Sequence, residues 1–269
     1  MEAEEMENRI SQIRKNTNGQ TTIPTYRCPK CRDSGFVRYF REENGEEYEY
    51  FRECECGLME SKREANRRRA TDIPPKYKDL SLSDFKLDFY GKDKHIGSSV
   101  KKCLSGYIKD FGIESRGLYL FGKTKGTGKT RGACIVLNEL SHNGYAVKFT
   151  TSGQLLQSIK DSWSDKANGE RSVIDDLTNT DILLIDDFGV ESVTDWRQEQ
   201  FYNIINERYI TQRPTIFTSN FDLAELDKNG YDTRITSRIK ESCIMLPFPG
   251  SSVRDVLASD QMEIKEWLS

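Results

Sequence analysis

A glycine-rich segment at residues 122–130 contains the residue types best suited to chemistry in this chain. It follows the apolar run 118–121 and precedes a stretch with helical spacing of apolar residues. A strand that leads through a glycine-rich turn into a helix directs several backbone N–H groups, and the positive end of the helix dipole, at one small volume. Such a volume suits phosphate, so Lys129 would reach the β- and γ-phosphates of a nucleotide while the Thr130 hydroxyl binds Mg²⁺. The segment predicts a nucleotide site.

The loop departs from the usual P-loop spacing at its first glycine. Lys123 occupies the usual position of that glycine, and Gly122 lies one residue earlier. The loop therefore either carries one extra residue before Gly126 or tolerates Lys123 at the turn. The Gly-x-Gly-Lys-Thr pattern that begins at Gly126 is intact, and it provides the glycines that let a backbone approach phosphate without a clashing Cβ.

Two aspartates follow the apolar run 182–185, which is typical of a strand buried on both faces. At the carboxyl end of such a strand, Asp186 would hold Mg²⁺ through water and Asp187 would orient the attacking water. Asn220 ends another apolar strand and would contact the γ-phosphate or that water from the far side. The alternative is an Asp-Asp cap of a helix after the strand. The predicted nucleotide-binding residues are Gly122, Gly126, Thr127, Gly128, Lys129, Thr130, Arg131 and Asp186, of which Thr130 and Asp186 would bind magnesium.

Two cysteine pairs flank a predicted β-hairpin. Cys28 and Cys31 precede it, Cys54 and Cys56 follow it, and a tight-turn Asn-Gly dipeptide lies between two stretches of alternating polarity. A hairpin brings its ends together, so four thiolates could converge on one tetrahedral Zn²⁺. The alternative is two reduced, unliganded cysteine doublets. A hairpin of this size has too little core to fold alone, which favours zinc.

Composition limits the class of protein. The chain has 269 residues, a net charge of −3 and seven cysteines. This length allows one sizeable core and a small accessory module, and the charge argues against a protein that coats nucleic acid electrostatically. No apolar run is long enough to cross a membrane, and the acidic start is unlike a signal peptide. We expect a cytoplasmic protein with no membrane partner, in which cysteines are metal ligands or buried thiols.

The order of these features predicts four segments. Residues 1–25 form an arm or short helix, 26–57 the zinc-binding hairpin module, 58–75 a basic helical linker, and 76–269 the nucleotide-binding domain. The basic run in the linker is either a solvated helix or a face that binds DNA or a partner. The residue before Pro74 is pushed out of the α region, so the linker helix should end before it.

The ordered set of motifs resembles the AAA+ ATPases. It comprises the P-loop, the Asp-Asp strand end, a Thr-Ser-Asn strand end, an Arg-x-x-x-Arg helix and a late Ser-x-x-Arg. More narrowly, the sequences at residues 73–77, 184–189, 205–209 and 214–220 are similar to the bacterial and phage helicase loaders of the DnaC/DnaI family. The cysteine module resembles the amino-terminal domain of DnaI-type loaders. The resemblance covers about residues 26 to 260.

The resemblance implies an α/β fold with a five-stranded parallel sheet of AAA+ type, preceded by a small zinc-binding hairpin domain. It places ATP and Mg²⁺ between Lys129 and the acidic strand end. Arg238 matches the arginine finger offered to a neighbouring subunit, with Arg234 as the reserve candidate, and Arg254 matches the sensor arginine that reads the γ-phosphate in cis. The predicted catalytic residues are therefore Lys129, Asp187, Asn220, Arg238 and Arg254.

The partners implied by the resemblance are a replicative hexameric helicase on the zinc module, single-stranded DNA on the helical insert 149–178, and other copies of the chain through the ATP site. Candidate DNA contacts are Lys148, Lys160 and Arg171, which otherwise are solvated side chains. Many relatives in the wider superfamily have Glu where this chain has Asp187, so we expect slow, switch-like ATP hydrolysis.

Three functional hypotheses follow. The leading one is an ATP-dependent loader that places the replicative helicase on single-stranded DNA. A transposition-helper ATPase of the IstB type shares most motifs but acts on duplex DNA, and the cysteine module favours the loader. A non-hydrolysing adaptor would keep only a degenerate pocket, which the intact Lys129, Asp186 and Asn220 argue against.

Overall fold

The computed structural model describes residues 14–15, 21–22, 26–43, 45–69, 72–112, 115–163 and 169–256. The chain forms two compact units, Met1–Lys62 and Arg63–Ser269. The arm predicted for residues 1–25 lies outside the described residues except for the strands β1 (Arg14–Lys15) and β2 (Thr21–Thr22), which pair antiparallel. The four predicted segment boundaries stay predictions.

The first unit is built on a two-stranded antiparallel hairpin. Its strands are β3 (Phe36–Glu43) and β4 (Glu46–Glu53), and Glu43 lies opposite Glu46. This register leaves two residues for the turn, the spacing that an Asn-Gly dipeptide favours. Gly45 has a φ of 82°, which glycine adopts without steric cost. Helix α1 (Leu58–Arg69) begins after the last cysteine and ends before the Pro-Pro dipeptide.

The second unit is a five-stranded parallel sheet with helices on both faces. The strands lie in the order β6-β7-β8-β5-β9 and every neighbouring pair is parallel. This confirms the predicted α/β class and sheet. The strands are β5 (Gly117–Phe121), β6 (Val147–Thr151), β7 (Ile182–Asp186), β8 (Thr215–Ser219) and β9 (Cys243–Pro247), and the helices are α2 (Lys94–Lys109), α3 (Lys129–His142), α4 (Ser152–Ser162), α5 (Gly169–Asn179), α6 (Asp195–Ile210), α7 (Leu223–Lys228) and α8 (Thr233–Ser242).

Apolar side chains of the central strands supply two cores, one on each face of the sheet. Leu118 and Leu120 of β5 enter one cluster, whereas Tyr119 enters the other, because successive side chains of a strand point to opposite faces. All five residues of β7 are buried. A strand covered on both faces needs a continuous apolar run, and this is why residues 182–185 could be recognised in the sequence.

Two helices, α7 and α8, lie between β8 and β9. Asp222 caps α7 by accepting the Glu225 N–H at 2.8 Å, and Asp232 caps α8 by accepting the Arg234 N–H at 2.8 Å. Gly230 between them has a φ of 88°, which is incompatible with a continuous helix. Two aspartate caps around one glycine are the local signal for this break.

The helices in the described part of the chain are all too short or too polar to cross a membrane.

The buried side chain of Arg208 links helix α6 to the end of α5 and to the amino-terminal ends of β7 and β8. Arg208 of α6 is 1% exposed, and burial lowers its pKa to about 9, which leaves the guanidinium protonated at neutral pH. Its N–H groups donate to six oxygens that lie at the end of α5, before β7 and at the start of β8, namely Leu177 O, Thr178 O, Thr180 O, Asp181 O, Pro214 O and Thr215 Oγ1. The planar fork therefore satisfies backbone carbonyls that are buried or half-buried.

We expect Arg208→Lys to lower the free energy of unfolding by about 3 kcal/mol or more, because an ammonium group cannot replace a fork of five donors and leaves buried carbonyls unpaired. Urea unfolding followed by circular dichroism measures the loss. Arg213→Lys is the matched control, since Arg213 is half-buried and donates to a single carbonyl, that of Asn179. Equal losses in the two variants would contradict this role of Arg208.

Candidate functional site

The glycine-rich loop between β5 and α3 has the conformation that phosphate binding requires. Gly126 and Gly128 have φ values of 78° and 91°, which disfavour any side chain. A Cβ on Gly126 would lie 2.9 Å from Ser252 Oγ, and one on Gly128 would lie 3.1 Å from the Tyr90 hydroxyl. Both glycines are therefore required by backbone conformation and by close packing.

Lys129 lies at the N-terminus of α3 and is only 6% exposed. Its Nζ donates to the carbonyls of Gly122 at 2.9 Å and Thr124 at 3.1 Å. Burial lowers the pKa of this ammonium, and the charges of Asp187 and Asp186 act in the opposite direction. The ammonium group is thus held inside the loop, close to two carboxylates and to the backbone that would surround a phosphate.

The irregular start of the loop is accommodated at Lys123. This residue does not have a positive φ, so its position tolerates a side chain, and its Nζ forms an ion pair with Glu225 Oε1 of α7 at 2.7 Å. Gly122 does not line the cleft, and its contribution is the carbonyl that accepts from Lys129. The structure therefore favours the second of the two alternatives left open by the sequence.

The two aspartates at the carboxyl end of β7 have different environments. Asp186 is 6% exposed, accepts the Thr218 hydroxyl at 2.5 Å and lies close to the Thr130 side chain. Burial raises its pKa above the ordinary value. Asp187 is exposed, and its backbone has a φ of 53°. Thr218 Oγ1 accepts the Asp187 N–H at 3.0 Å and Ser152 Oγ donates to the Asp187 carbonyl at 2.9 Å, so both polar groups of this backbone are engaged.

Lys129 and Asp187 line one cleft of about 270 Å³ at the carboxyl ends of β5, β7 and β8, whereas the predicted residue Asp186 is not part of its lining. The cleft collects most of the predicted site residues together with five that the site prediction missed, Lys76, Tyr77, Lys125, Val190 and Val253. Its lining consists of Lys76, Tyr77, Lys125, Gly126, Thr127, Gly128, Lys129, Thr130, Arg131, Asp187, Val190, Asn220, Val253 and Arg254. Lys76 and Tyr77 belong to the segment 73–77, and its similarity to the helicase loaders is the sequence signal for these two residues. Burial raises the pKa of Tyr77, and the nearby Arg254 guanidinium acts in the opposite direction.

The residues present fit a magnesium nucleotide. Within the described residues, the buried Thr127 hydroxyl has no hydrogen-bond partner, which is unusual for a polar group so deeply buried. Thr130 and Asp186 offer a hydroxyl and a carboxylate side by side, which are donors of the kind Mg²⁺ prefers. Lys129 and the loop amides would hold the phosphates of the nucleotide.

Arg238 is the predicted catalytic residue that the structure does not bring into this cleft. It lies on α8 and packs on α6, where its guanidinium donates to Asn206 Oδ1 at 2.6 Å and to the Tyr202 hydroxyl at 3.1 Å. Arg234, one turn earlier, is exposed and ion-paired with Asp232 at 2.5 Å.

The four cysteines of the hairpin module form one cluster. Their sulfur atoms all lie within 4.8 Å of one another, with Cys28 to Cys54 and Cys31 to Cys56 each at 3.7 Å. Sulfurs bound at ~2.3 Å to a tetrahedral centre lie ~3.8 Å apart, so the cluster has the dimensions of a zinc site. A separation of 3.7 Å also excludes disulfides in either pair.

Backbone groups around the first cysteine pair favour thiolate. The Cys31 backbone N–H is the main cause that lowers the pKa of the Cys28 thiol to about 7. The Cys28 N–H donates to the Asp33 carboxylate at 2.9 Å, which fixes the turn that carries this pair. The set of Cys28, Cys31, Cys54 and Cys56 therefore fits Zn²⁺, as the sequence predicted.

The parallel sheet, the P-loop after β5 and the acidic end of β7 define an AAA+ ATP-binding domain, and the cysteine cluster supports a small zinc-binding region before it. A family model described as "IstB-like ATP binding protein" matches residues 49–258. The chain belongs to this family, and membership implies ATP binding.

The relatives of this chain include named helicase loaders. The replicative helicase loader DnaC of Escherichia coli strain K12 is 24% identical over 211 residues, which cover 78% of this chain and 82% of that protein. The replicative helicase loader DnaI of Bacillus subtilis strain 168 is 34% identical over 114 residues, 42% of this chain and 36% of DnaI. A crystal structure of DnaI is 25% identical, with a TM-score of 0.56, and the match covers 65% of this chain and 94% of that one.

We expect Asp186→Asn to stabilise the nucleotide-free protein while it abolishes binding of Mg²⁺-ATP. The pKa of Asp186 is higher in the folded protein than in the unfolded chain. Its favourable contribution to the free energy of unfolding is therefore fully present below the ordinary pKa of an aspartate, and it is lost as the pH rises through the folded-state pKa. At pH 7 the neutral amide should therefore raise the melting temperature by roughly 2–4 °C, the shift that about 1 kcal/mol gives in a domain of this size.

Thermal melting with and without Mg²⁺-ATP tests this expectation. Asp187→Asn is the control, because Asp187 is exposed and the substitution should leave the nucleotide-free melting temperature unchanged. A nucleotide-free Asp186→Asn protein that melts below the wild type would contradict the argument.

We expect one zinc ion per chain, and the double variant Cys31→Ser/Cys54→Ser should lose both the metal and the folded hairpin, because metal binding supplies the folding free energy of so small a module. Mass-spectrometric metal analysis and limited proteolysis of the hairpin measure the two effects. Cys103→Ser, a half-buried thiol outside the cluster, is the control. Zinc loss without a change in proteolysis would show that the site is not structural.

Proposed function

We propose that this protein is an ATP-dependent loader that binds a replicative DNA helicase and places it on single-stranded DNA. The observation that carries the proposal is the complete nucleotide cleft of an AAA+ domain, in a chain that aligns with 82% of the length of a replicative helicase loader. The cysteine cluster supports a separate zinc-binding module before this domain, and its resemblance to the amino-terminal domain of DnaI-type loaders makes it the candidate that would bind the helicase.

The cleft supports ATP hydrolysis as well as ATP binding. Lys129 and the loop amides would neutralise the phosphates, Thr130 and Asp186 would hold Mg²⁺, and Arg254 would read the γ-phosphate. Asp187 is exposed and faces the cleft, where it would orient the attacking water with Asn220. Its side chain is one methylene shorter than glutamate and its backbone is held at both ends, so it would reach the water less well. Slow hydrolysis follows, and ATP acts as an assembly switch.

Subunits would associate through the ATP site, with Arg238 as the arginine finger that enters the cleft of a neighbour. One observation supports Arg238 over Arg234. The Arg238 guanidinium donates to the neutral side chains of Asn206 and Tyr202, whereas Asp232 already neutralises Arg234.

Single-stranded DNA would contact the segment 149–178. Of the candidate cations, Lys148 is neutralised by ion pairs with Asp176 at 2.5 Å and Asp72 at 3.2 Å, which argues against it. Lys160 is exposed, and its ammonium lies 4.8 Å from the centre of the Trp196 ring. Arg171 has a side chain outside the described residues, so Lys160 is the better supported candidate.

A transposition helper of the IstB type is the second candidate, because the family takes its description from IstB. A non-hydrolysing adaptor is a third, and the nucleotide-binding geometry of Lys129, Thr130 and Asp186 weighs against it. The cysteine cluster favours the loader over the transposition helper.

We expect the full-length protein to retain the hexameric replicative helicase of its host in an ATP-dependent manner on co-purification. Lys129→Ala should lose ATP binding and the ATP-dependent part of the retention, because the loop would lack the cation that neutralises the phosphates. The zinc-site double variant should lose the helicase and keep ATP binding. Lys123→Ala is the matched lysine control, since Lys123 is exposed and paired with Glu225.

If the helicase does not co-purify with the wild-type protein, the result would favour the hypothesis of a transposition helper. If the zinc-site variant still retains the helicase, the helicase binds a part of the protein other than the hairpin module. Rapid phosphate release by the isolated protein, without helicase or DNA, would contradict an assembly switch.

A further inference from the structure

Two peptide carbonyls of the glycine-rich loop accept hydrogen bonds from groups outside the loop. The Tyr90 hydroxyl donates to the Thr127 carbonyl at 3.1 Å, and the Val253 N–H donates to the Gly126 carbonyl at 3.0 Å. The C=O and N–H of one trans peptide point in opposite directions. These two bonds therefore fix the directions of the next two N–H groups, those of Thr127 and Gly128, and both residues line the cleft.

Tyr90 is itself firmly held. It is 3% exposed, its ring stacks on Phe85 with 5.6 Å between centroids, and Ser251 Oγ donates to its carbonyl at 3.2 Å. A Cβ on Gly97 of α2 would lie 2.7 Å from the ring, so this helix packs directly against the tyrosine. Burial raises the pKa of Tyr90 to about 12, which keeps the donating proton in place at neutral pH.

The loop is thus enclosed from two sides. Tyr90 packs against Gly128, and the segment 251–254 packs against Gly126, with Ser252 Oγ at 2.9 Å and Arg254 carbons at 3.1 Å from the position of a Cβ on that glycine. Ser251 links the two sides, since its hydroxyl is also within 2.7 Å of the Asp93 carboxylate. A loop that is oriented before the ligand arrives pays less ordering entropy on binding.

We propose that Tyr90 is a positioning residue for the nucleotide, whose hydroxyl orients the Thr127–Gly128 peptide so that the Gly128 N–H is preset to bind phosphate. The inference rests on the nucleotide site of the proposed function and adds a residue to it. The Tyr90 hydroxyl affects nucleotide binding by orienting the loop, and not by positioning Arg254, the residue that would read the γ-phosphate. ATP and ADP share the phosphates that loop amides contact, so both nucleotides depend on Tyr90 to the same degree.

Tyr90→Phe removes the hydroxyl and keeps the ring. The dissociation constants of ATP and ADP, measured with Mg²⁺ by competition against a fluorescent nucleotide, should both rise about 3- to 10-fold, as expected for one hydrogen bond. The chain offers a matched control in Tyr107, a tyrosine that is 9% exposed and whose hydroxyl has no hydrogen-bond partner in the described part of the chain. Tyr107→Phe should bind both nucleotides like the wild type.

The melting temperature of each nucleotide-free variant is measured alongside, since a loss of affinity in a well-folded protein is what separates positioning from a general loss of structure. Affinities of Tyr90→Phe within twofold of the wild type would overturn the inference. Weaker ATP binding with unchanged ADP binding would also overturn the inference, because Tyr90 would then influence contacts to the γ-phosphate, which only ATP carries. If Tyr90→Phe shows no cooperative melting, Ser251→Ala takes its place and must weaken both nucleotides.

A failure of the loader hypothesis remains distinguishable. In that case the wild type binds ATP and Tyr90→Phe weakens it, while no helicase is retained. A wild type that binds neither nucleotide would instead remove the site itself.

Discussion

The parallel direction of all five strands is the constraint on which the site depends. Parallel strands place their carboxyl ends along one edge, so the loops that follow β5, β7 and β8 meet there although they are far apart in the sequence. Two packed cores hold the strands in register, one on each face of the sheet. Arg208 secures the opposite end by binding the carbonyls before β7 and β8.

Charges buried for function work against the stability of the same fold. Asp186 and Lys129 are both about nine-tenths buried or more. Burial raises the pKa of Asp186 and lowers the pKa of Lys129, and both shifts favour the neutral form of the side chain. Neighbouring polar groups compensate in part: Thr218 donates to Asp186, and two loop carbonyls accept from Lys129. A bound magnesium nucleotide would complete this compensation, since it supplies both the cation and the anion that the two side chains lack.

The two units use different physical means to stay folded. The nucleotide-binding domain buries two apolar clusters, whereas the hairpin module exposes several aromatic side chains, among them Phe51 at 64% and Phe40 at 51%. A module with so little core would need the metal that its four cysteines fit. Metal binding would then stabilise one unit and nucleotide binding the other.

The sequence by itself determined the parts of this protein that are local. Apolar runs identified the buried strands, and glycines with a following lysine and threonine identified the phosphate loop, because each pattern lies within a few consecutive residues. The spacing of two cysteine pairs around a turn predicted the cysteine cluster, because a single hairpin brings the two pairs together. The tertiary structure alone decided which distant residues join them. Tyr90, Tyr77 and Val253 reach the loop from the two ends of the domain, the acidic pair splits into one buried and one exposed carboxylate, and Lys148 is neutralised by Asp72 and Asp176. These outcomes depend on packing between segments that are remote in the chain, and no local pattern of residue types records such contacts.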